Sequence, residues 1–183
     1  MHVEVCEEPT RFIEEWTILY KGIVDHHGLR GITAFSKAAF AKQLDIPGTV
    51  VLRATYNDLT IGAQIYFVQG DVVYCHLGAA DQTGYDLGAF YALDLFSLEY
   101  FSDKARWLNL GGSAGIVTDG NDGLSMYKKG WATETRPAYF CGRIFNPVIY
   151  EKIRREKNIG PTNYFPAYRK GEFGSQPSGN VSV

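Results

Sequence analysis

Residues 49–78 constrain the fold most. Three runs of strand composition, Thr49 to Tyr56, Leu59 to Val68 and Val72 to Gly78, are separated only by Asn57-Asp58 and Gln69-Gly70-Asp71. Joints that short cannot carry the chain back to the same end of a sheet, so the runs must form an antiparallel meander. An apolar stretch follows directly. From Tyr85 to about Ser102, Leu87, Phe90, Tyr91, Leu93, Leu95, Phe96, Leu98 and Phe101 leave little polar face, which predicts a long helix buried on most sides. Trp107 to Leu110 reads as a short buried strand, and a strand–helix–strand order predicts a right-handed parallel crossover. The sheet is therefore expected to be mixed.

The flanking elements fit an α+β arrangement. Pro9 opens a helix whose Phe12, Ile13, Trp16, Leu19, Tyr20 and Ile23 share one face, with His26-His27-Gly28 as its solvated end. Ser36 caps a second helix, where Phe35 and Phe40 form a hydrophobic staple and Pro47-Gly48 stops the chain. Further on we expect a helix from about Asp122 to Lys129, a strand from Ala138 to Phe145, and a helix capped by Asn146-Pro147. Residues 1–170 are expected to form one domain, and the Gly- and Ser-rich residues 171–183 a flexible tail. Hydrophobic residues make up 45% of the chain, with 12 Tyr and 11 Phe, which is enough apolar surface for a core and excludes disorder throughout.

Charge and cysteine usage narrow the function. A net charge of -2 gives no general attraction to nucleic acid, and the basic run Lys152 to Lys157 is interrupted by Glu156. Cys6, Cys75 and Cys141 lie far apart with no ligand spacing, so neither a metal site nor a disulfide framework is expected, and a cytoplasmic location follows. Met1 to Glu8 carries three acids and no apolar run, so no secretory leader is expected, and no stretch is long and apolar enough for membrane insertion.

Three fragments bear a family likeness: Tyr74-Cys75-His76-Leu77-Gly78-Ala79, Trp107-Leu108-Asn109-Leu110-Gly111-Gly112, and Gly123-Leu124-Ser125-Met126-Tyr127-Lys128-Lys129-Gly130-Trp131. With the element order, they make the chain resemble the Gcn5-related N-acyltransferase (GNAT) superfamily. The segment Tyr74 to Gly130 is similar to its branch of FemABX peptidoglycan-bridge transferases and BioF2-like acyltransferase domains, where Tyr127 to Trp131 has the branch's shorter spacing. The resemblance implies a GNAT-like fold and acyl transfer from acetyl-CoA or another acyl-CoA to an amine of a small-molecule or cell-envelope acceptor. Proteins of that branch usually carry two such domains and this chain has room for one, so a homodimer could imitate them.

Acyl transfer from a thioester requires a grip on the donor, polarisation of its carbonyl, a deprotonated amine and a proton for the thiolate. Gln82, Thr83, Gly84, Gly88 and Ala89 open the apolar helix and approximate the family's phosphate-binding turn, where unpaired N–H groups favour anions; alternatively Gly84 makes a turn and Gly88-Ala89 allows close packing. Asp86 would compete with an anion there. By resemblance, Leu77 and Gly78 offer main-chain N–H groups to the donor, and Tyr127 is the acid for the leaving thiolate, with simple packing as its rival role. His76 could deprotonate the amine or be a hydrogen-bonded core histidine, while Cys75 points to the opposite face. Asn109 either shapes the cleft or satisfies a local backbone group, and Glu99 and Asp119 are weaker choices of base. Tyr164 to Arg169 is too apolar for a free linker. Two other readings compete: a FemABX-type transferase using aminoacyl-tRNA, and a non-catalytic acyltransferase-like binding module.

Overall fold

The computed structural model describes residues 1–112 and 122–171. Strand β1 (His2–Val5) and a single 3-10 turn (Pro9–Phe12) lead into α1 (Ile13–His27). Helix α2 (Lys37–Leu44) then precedes the meander of β2 (Thr49–Tyr56), β3 (Leu59–Gln69) and β4 (Val72–Ala80). The rest comprises α3 (Gln82–Asp86), α4 (Ala89–Phe101), β5 (Trp107–Asn109), α5 (Gly123–Trp131) and α6 (Pro147–Glu156).

The five strands lie in the order β1-β2-β3-β4-β5. Every pair is antiparallel except β4 and β5, which run parallel as the crossover requires. At the β2–β3 joint Tyr56 faces Leu59, and Asn57 and Asp58 adopt φ of 50° and 62°, the left-handed pair that a tight hairpin needs and that Asn and Asp tolerate. Strand β1 pairs with β2 from His2↔Thr55 to Val5↔Leu52. The acids of this segment obscured it in the sequence. Glu4 in fact lies on the edge and pairs with Arg53 at 2.6 Å.

Helices cover both faces of the sheet. On one, Trp16, Leu19 and Tyr20 of α1 and Phe40 and Leu44 of α2 pack on Val51, Ala63, Ile65 and Ala79. Ser36 caps α2 by accepting the Ala39 N–H, and the Phe35 and Phe40 rings meet at 5.6 Å, which is the expected staple. On the other face, Ala89, Leu93 and Phe101 of α4 pack on Leu52, Ala54, Ile61, Tyr66 and Val73.

Two expectations are corrected. The apolar helix is neither continuous nor buried on most sides: it breaks at Leu87-Gly88, where Gly88 has φ 67°. Beyond the break only the row of Ala89, Leu93, Asp94, Ser97 and Phe101 is buried, while Tyr91 is 61% and Leu95 53% exposed. One face of a helix suffices to cover a sheet, so apolar content alone overstated the burial. Residues 138–145 form no strand. Their contacts run instead to the aromatic stretch near the C-terminus. Phe140 lies 6.2 Å from the Phe165 ring, and Gly142 is so close that a built Cβ would fall 1.9 Å from that ring. Phe165 and Tyr168 in turn pack on Tyr150 of α6, whose hydroxyl accepts the Ala167 N–H at 2.7 Å. Residues 172–183, expected as a tail, lie outside the described residues.

Candidate active site

The site begins where β4 leaves β5. The parallel pairing spans only Val72↔Trp107, Val73↔Leu108 and Tyr74↔Asn109, and β4 continues from Cys75 to Ala80 with no strand on that side among the described residues. At the same point its register with β3 slips. Ile65 faces Leu77 and Tyr66 faces Cys75, so His76 is bulged out of the ladder. A bulge bends and twists its strand, which turns β4 away from β5 and leaves main-chain polar groups along that edge without a strand partner.

The turn after β4 is built differently from its sequence reading. Asp81 caps α3 by accepting the Gly84 N–H at 2.7 Å, so that amide is already engaged. Gly84 is buried against the Ile61 carbonyl, where a built Cβ would fall 2.2 Å from the oxygen. Gln82 and Thr83 are exposed, and Gln82 bonds Asp86 at 2.8 Å. The helix start without a side-chain cap is Gly88, at the head of α4. Ala89 is buried there against the sheet, and Phe90 covers Gly78, whose built Cβ would meet the ring at 2.8 Å. The α4 N-terminus thus stands over the far end of the open β4 edge, and the place suited to an anion shifts from Gln82 to Gly88.

Beneath α4 runs a buried polar chain. The Tyr66 hydroxyl donates to Gln64 Oε1 at 2.6 Å, Gln64 Nε2 donates to Asp94 Oδ1 at 2.7 Å, and the Tyr127 hydroxyl donates to Asp94 Oδ2 at 2.5 Å. Asp94 is only 5% exposed. Burial, followed by the Asp94 bond and charge, raises the Tyr127 phenol well above its ordinary range. Burial also pushes the Cys75 thiol up to about 11, with the Asp94 charge adding to it and Lys128 opposing. Such a thiol is a poor nucleophile at neutral pH. Lys128, its own ammonium lowered by burial, donates to the Gly112 carbonyl at 2.7 Å. Tyr66, Cys75, Asp94, Tyr127 and Lys128 therefore gather just where β4 parts from β5. The Tyr91, Tyr127 and Trp131 rings, 5.3 to 6.4 Å apart, wall an open pocket of about 380 Å³ beside them.

The two residues read as proton carriers are not brought together. Tyr127 lies on the α4 face, whereas His76 lies on the α1–α2 face, 3.1 Å from Gln43 Oε1 and ring to ring with Phe67 at 4.6 Å. Leu77 packs into that same core. Asn109 accepts the Gly111 N–H at 2.8 Å in a local turn, Glu99 is exposed, and Asp119 lies outside the described residues. Asp94 and Gln64 were not singled out from the sequence. The available signal was a lone acid on the buried row of α4, one residue after Leu93 and three before Ser97.

No protein-family model matches the chain, and no curated protein sequence does. Solved structures match over most of its length. An aminoglycoside acetyltransferase from an uncultured soil metagenomic sample, in complex with sisomicin, superposes with a TM-score of 0.60 at 11% identity over 78% of this chain and 95% of that one. A possible acetyltransferase from Clostridium difficile 630 gives 0.60 at 9% identity, covering 80% and 100%. AAC(6')-Iy bound to the bisubstrate analogue CoA-S-monomethyl-acetylneamine gives 0.56 at 15% identity, covering 79% and 100%. The fold is the GNAT fold. At these identities the GNAT likeness is one of architecture, and the finer FemABX and BioF2-like likeness rests on the residues alone. Among the described residues no cluster of His, Cys, Asp and Glu could hold a metal, and no helix is long and apolar enough to cross a membrane.

Proposed function

We propose that this protein is an N-acyltransferase that moves an acyl group, acetyl in the first instance, from coenzyme A to an amine of a small molecule or cell-envelope precursor. The observation that carries the reading is the open edge of β4 from Cys75 to Ala80, flanked by the uncapped start of α4 at one end and Tyr127 at the other. An extended pantetheine arm suits a strand edge, since alternate N–H and C=O groups there lack partners. Gly88 and Ala89, with Gln82 and Thr83 beside them, offer a helix N-terminus to a pyrophosphate. Backbone N–H groups near Leu77 and Gly78 polarise the thioester carbonyl, and Asn109 shapes the cleft wall. Tyr127 handles a proton. His76 bonds Gln43 on the opposite face of the sheet and does not meet the substrate.

Titration calorimetry of the full chain with CoA and acetyl-CoA tests this, with micromolar binding expected. Absence of binding would remove the reading. Thiol release from acetyl-CoA in the presence of primary amines then separates an enzyme from a binding module, which would retain CoA without turnover. The FemABX-type alternative, favoured by the Tyr127 to Trp131 spacing, requires charged tRNA to donate instead, although the net charge of -2 offers tRNA no attraction.

A further inference from the structure

Asp94 is the one buried carboxylate among the described residues, and no cation bonds it. Burying a carboxylate in an apolar helix face is costly, and a leucine would fill the same place at no such cost. Its two partners are neutral donors, Gln64 Nε2 and the Tyr127 hydroxyl, and the latter bond has a direction with consequences. With its hydrogen engaged by Asp94 and the Trp131 indole beside its oxygen, Tyr127 has acceptor capacity rather than a proton left to offer the pocket that it lines with Tyr91, Met126 and Trp131.

We propose that Tyr127 and Asp94 form a relay that removes the proton from the attacking amine, Tyr127 as the catalytic residue touching the amine and Asp94 as the positioning residue behind it. The inference rests on the acyltransferase reading. The ammonium that enters the pocket first gives one proton to solvent; as the neutral amine nitrogen then bonds to the acyl carbon, its N–H proton passes to Tyr127 Oη while the phenol's own proton passes to Asp94 Oδ2. The carbon–sulfur bond breaks with its electron pair on sulfur, and solvent protonates the thiolate. Asp94 later returns its proton through Tyr127 to solvent, which closes the balance. The phenol is never a free phenolate, as its burial beside a carboxylate demands. The pocket is lined by the aromatic side chains of Tyr91, Tyr127 and Trp131, a lining that suits an alkylammonium, so the substrate class is a primary alkylamine small enough for this pocket. The ionisable groups facing the pair are Tyr66 from β3, Cys75 from β4, Tyr91 from α4 and Lys128 from α5.

The test uses the full chain, acetyl-CoA and a panel of primary amines that includes sisomicin, with calorimetry of CoA binding as control. Asp94→Asn and Tyr127→Phe should each lower kcat by about 100-fold and the double variant little further, while CoA affinity stays within about twofold. A proton inventory in mixed light and heavy water should be curved for the parent, where two protons move, and linear for Asp94→Asn. Turnover by Asp94→Asn within about threefold of the parent, with the inventory unchanged, overturns the relay while leaving the acyltransferase reading intact. Loss of CoA binding in the parent instead overturns that reading and the relay with it. If CoA binds and no amine turns over, alkaline difference spectra decide: relative to Tyr127→Phe, Asp94→Asn should let Tyr127 ionise at a lower pH than in the parent, and an unmoved ionisation overturns the pairing. Should Asp94→Asn fail to fold, Tyr127→Phe, which removes a single oxygen, carries the same expectations for turnover.

Discussion

The two faces of the sheet are covered by opposite means. Under α1 and α2 the cover is aromatic and closed: Trp16 is fully buried, and Phe40 meets it at 5.8 Å and Tyr20 at 4.9 Å. Under α4 the aliphatic packing of Leu52, Ile61, Val73 and Leu93 is crossed by the polar chain from Tyr66 through Gln64 and Asp94 to Tyr127. The proposed function sets the chemistry on the second face, and the division to be tested is that the first face carries the larger share of the stability. The most direct way to break that comparison is Trp16→Ala, which removes the largest buried side chain of the closed face. It should cost about 3–5 kcal/mol of folding free energy, read from urea midpoints. A smaller loss than that of Asp94→Asn in the same measurement would place the stability on the α4 face and refute the division.

The next largest effect separates two glycines of one turn. At Gly84→Ala the new methyl would collide with the Ile61 carbonyl, so about 1–3 kcal/mol of stability should be lost through overpacking. Gly88→Ala meets only the edge of Tyr91 at 3.4 Å, but its φ of 67° costs an alanine about 1–2 kcal/mol. The distinguishing measurement is CoA affinity per unit of lost stability. Gly88→Ala should weaken binding more, because it distorts the start of α4 just ahead of the Ala89 and Phe90 amides, although its own N–H donates to the Tyr85 carbonyl at 3.1 Å, whereas Gly84 lies in packing and its amide is engaged by Asp81.

How far the sequence revealed this division depends on the range of the interactions. The meander was legible because alternation and two-residue turns are local, and so were the Ser36 and Asn146 caps, each read from a residue and its near neighbours. Strand β1 was not, because its partner β2 lies some fifty positions away and its acids resemble a solvated terminus. Residues 138–145 show the converse: their composition suits a strand, yet their contacts run to Phe165. At the site, Tyr127 was reached by resemblance. Asp94 escaped because its role depends on Gln64 and Tyr127, each about thirty positions distant. His76 was read from period-two alternation, which the bulge at that very residue interrupts.

His76 supplies the finest test of the comparison, through pH. Burial lowers its pKa below the ordinary 6.5, so the folded state favours the neutral ring. The unfolded chain binds a proton at about 6.5, hence it gains protons first as the solution is acidified. Stability from this residue is complete above that value and declines as pH falls through the window between it and the lowered folded pKa. With Gln43 Oε1 accepting from Nε2–H, the entering proton goes to Nδ1, so the loss comes from charging a desolvated ring rather than from breaking that bond. His76→Gln should therefore flatten the acid side of a urea-midpoint profile between pH 5 and 7.5. Because the ring sits on the closed face, the same substitution should leave the acid side of the kcat profile, governed from the α4 face, in place. If the kcat profile flattened together with the stability profile, His76 would be part of the proton path and the two faces would not be separate in function.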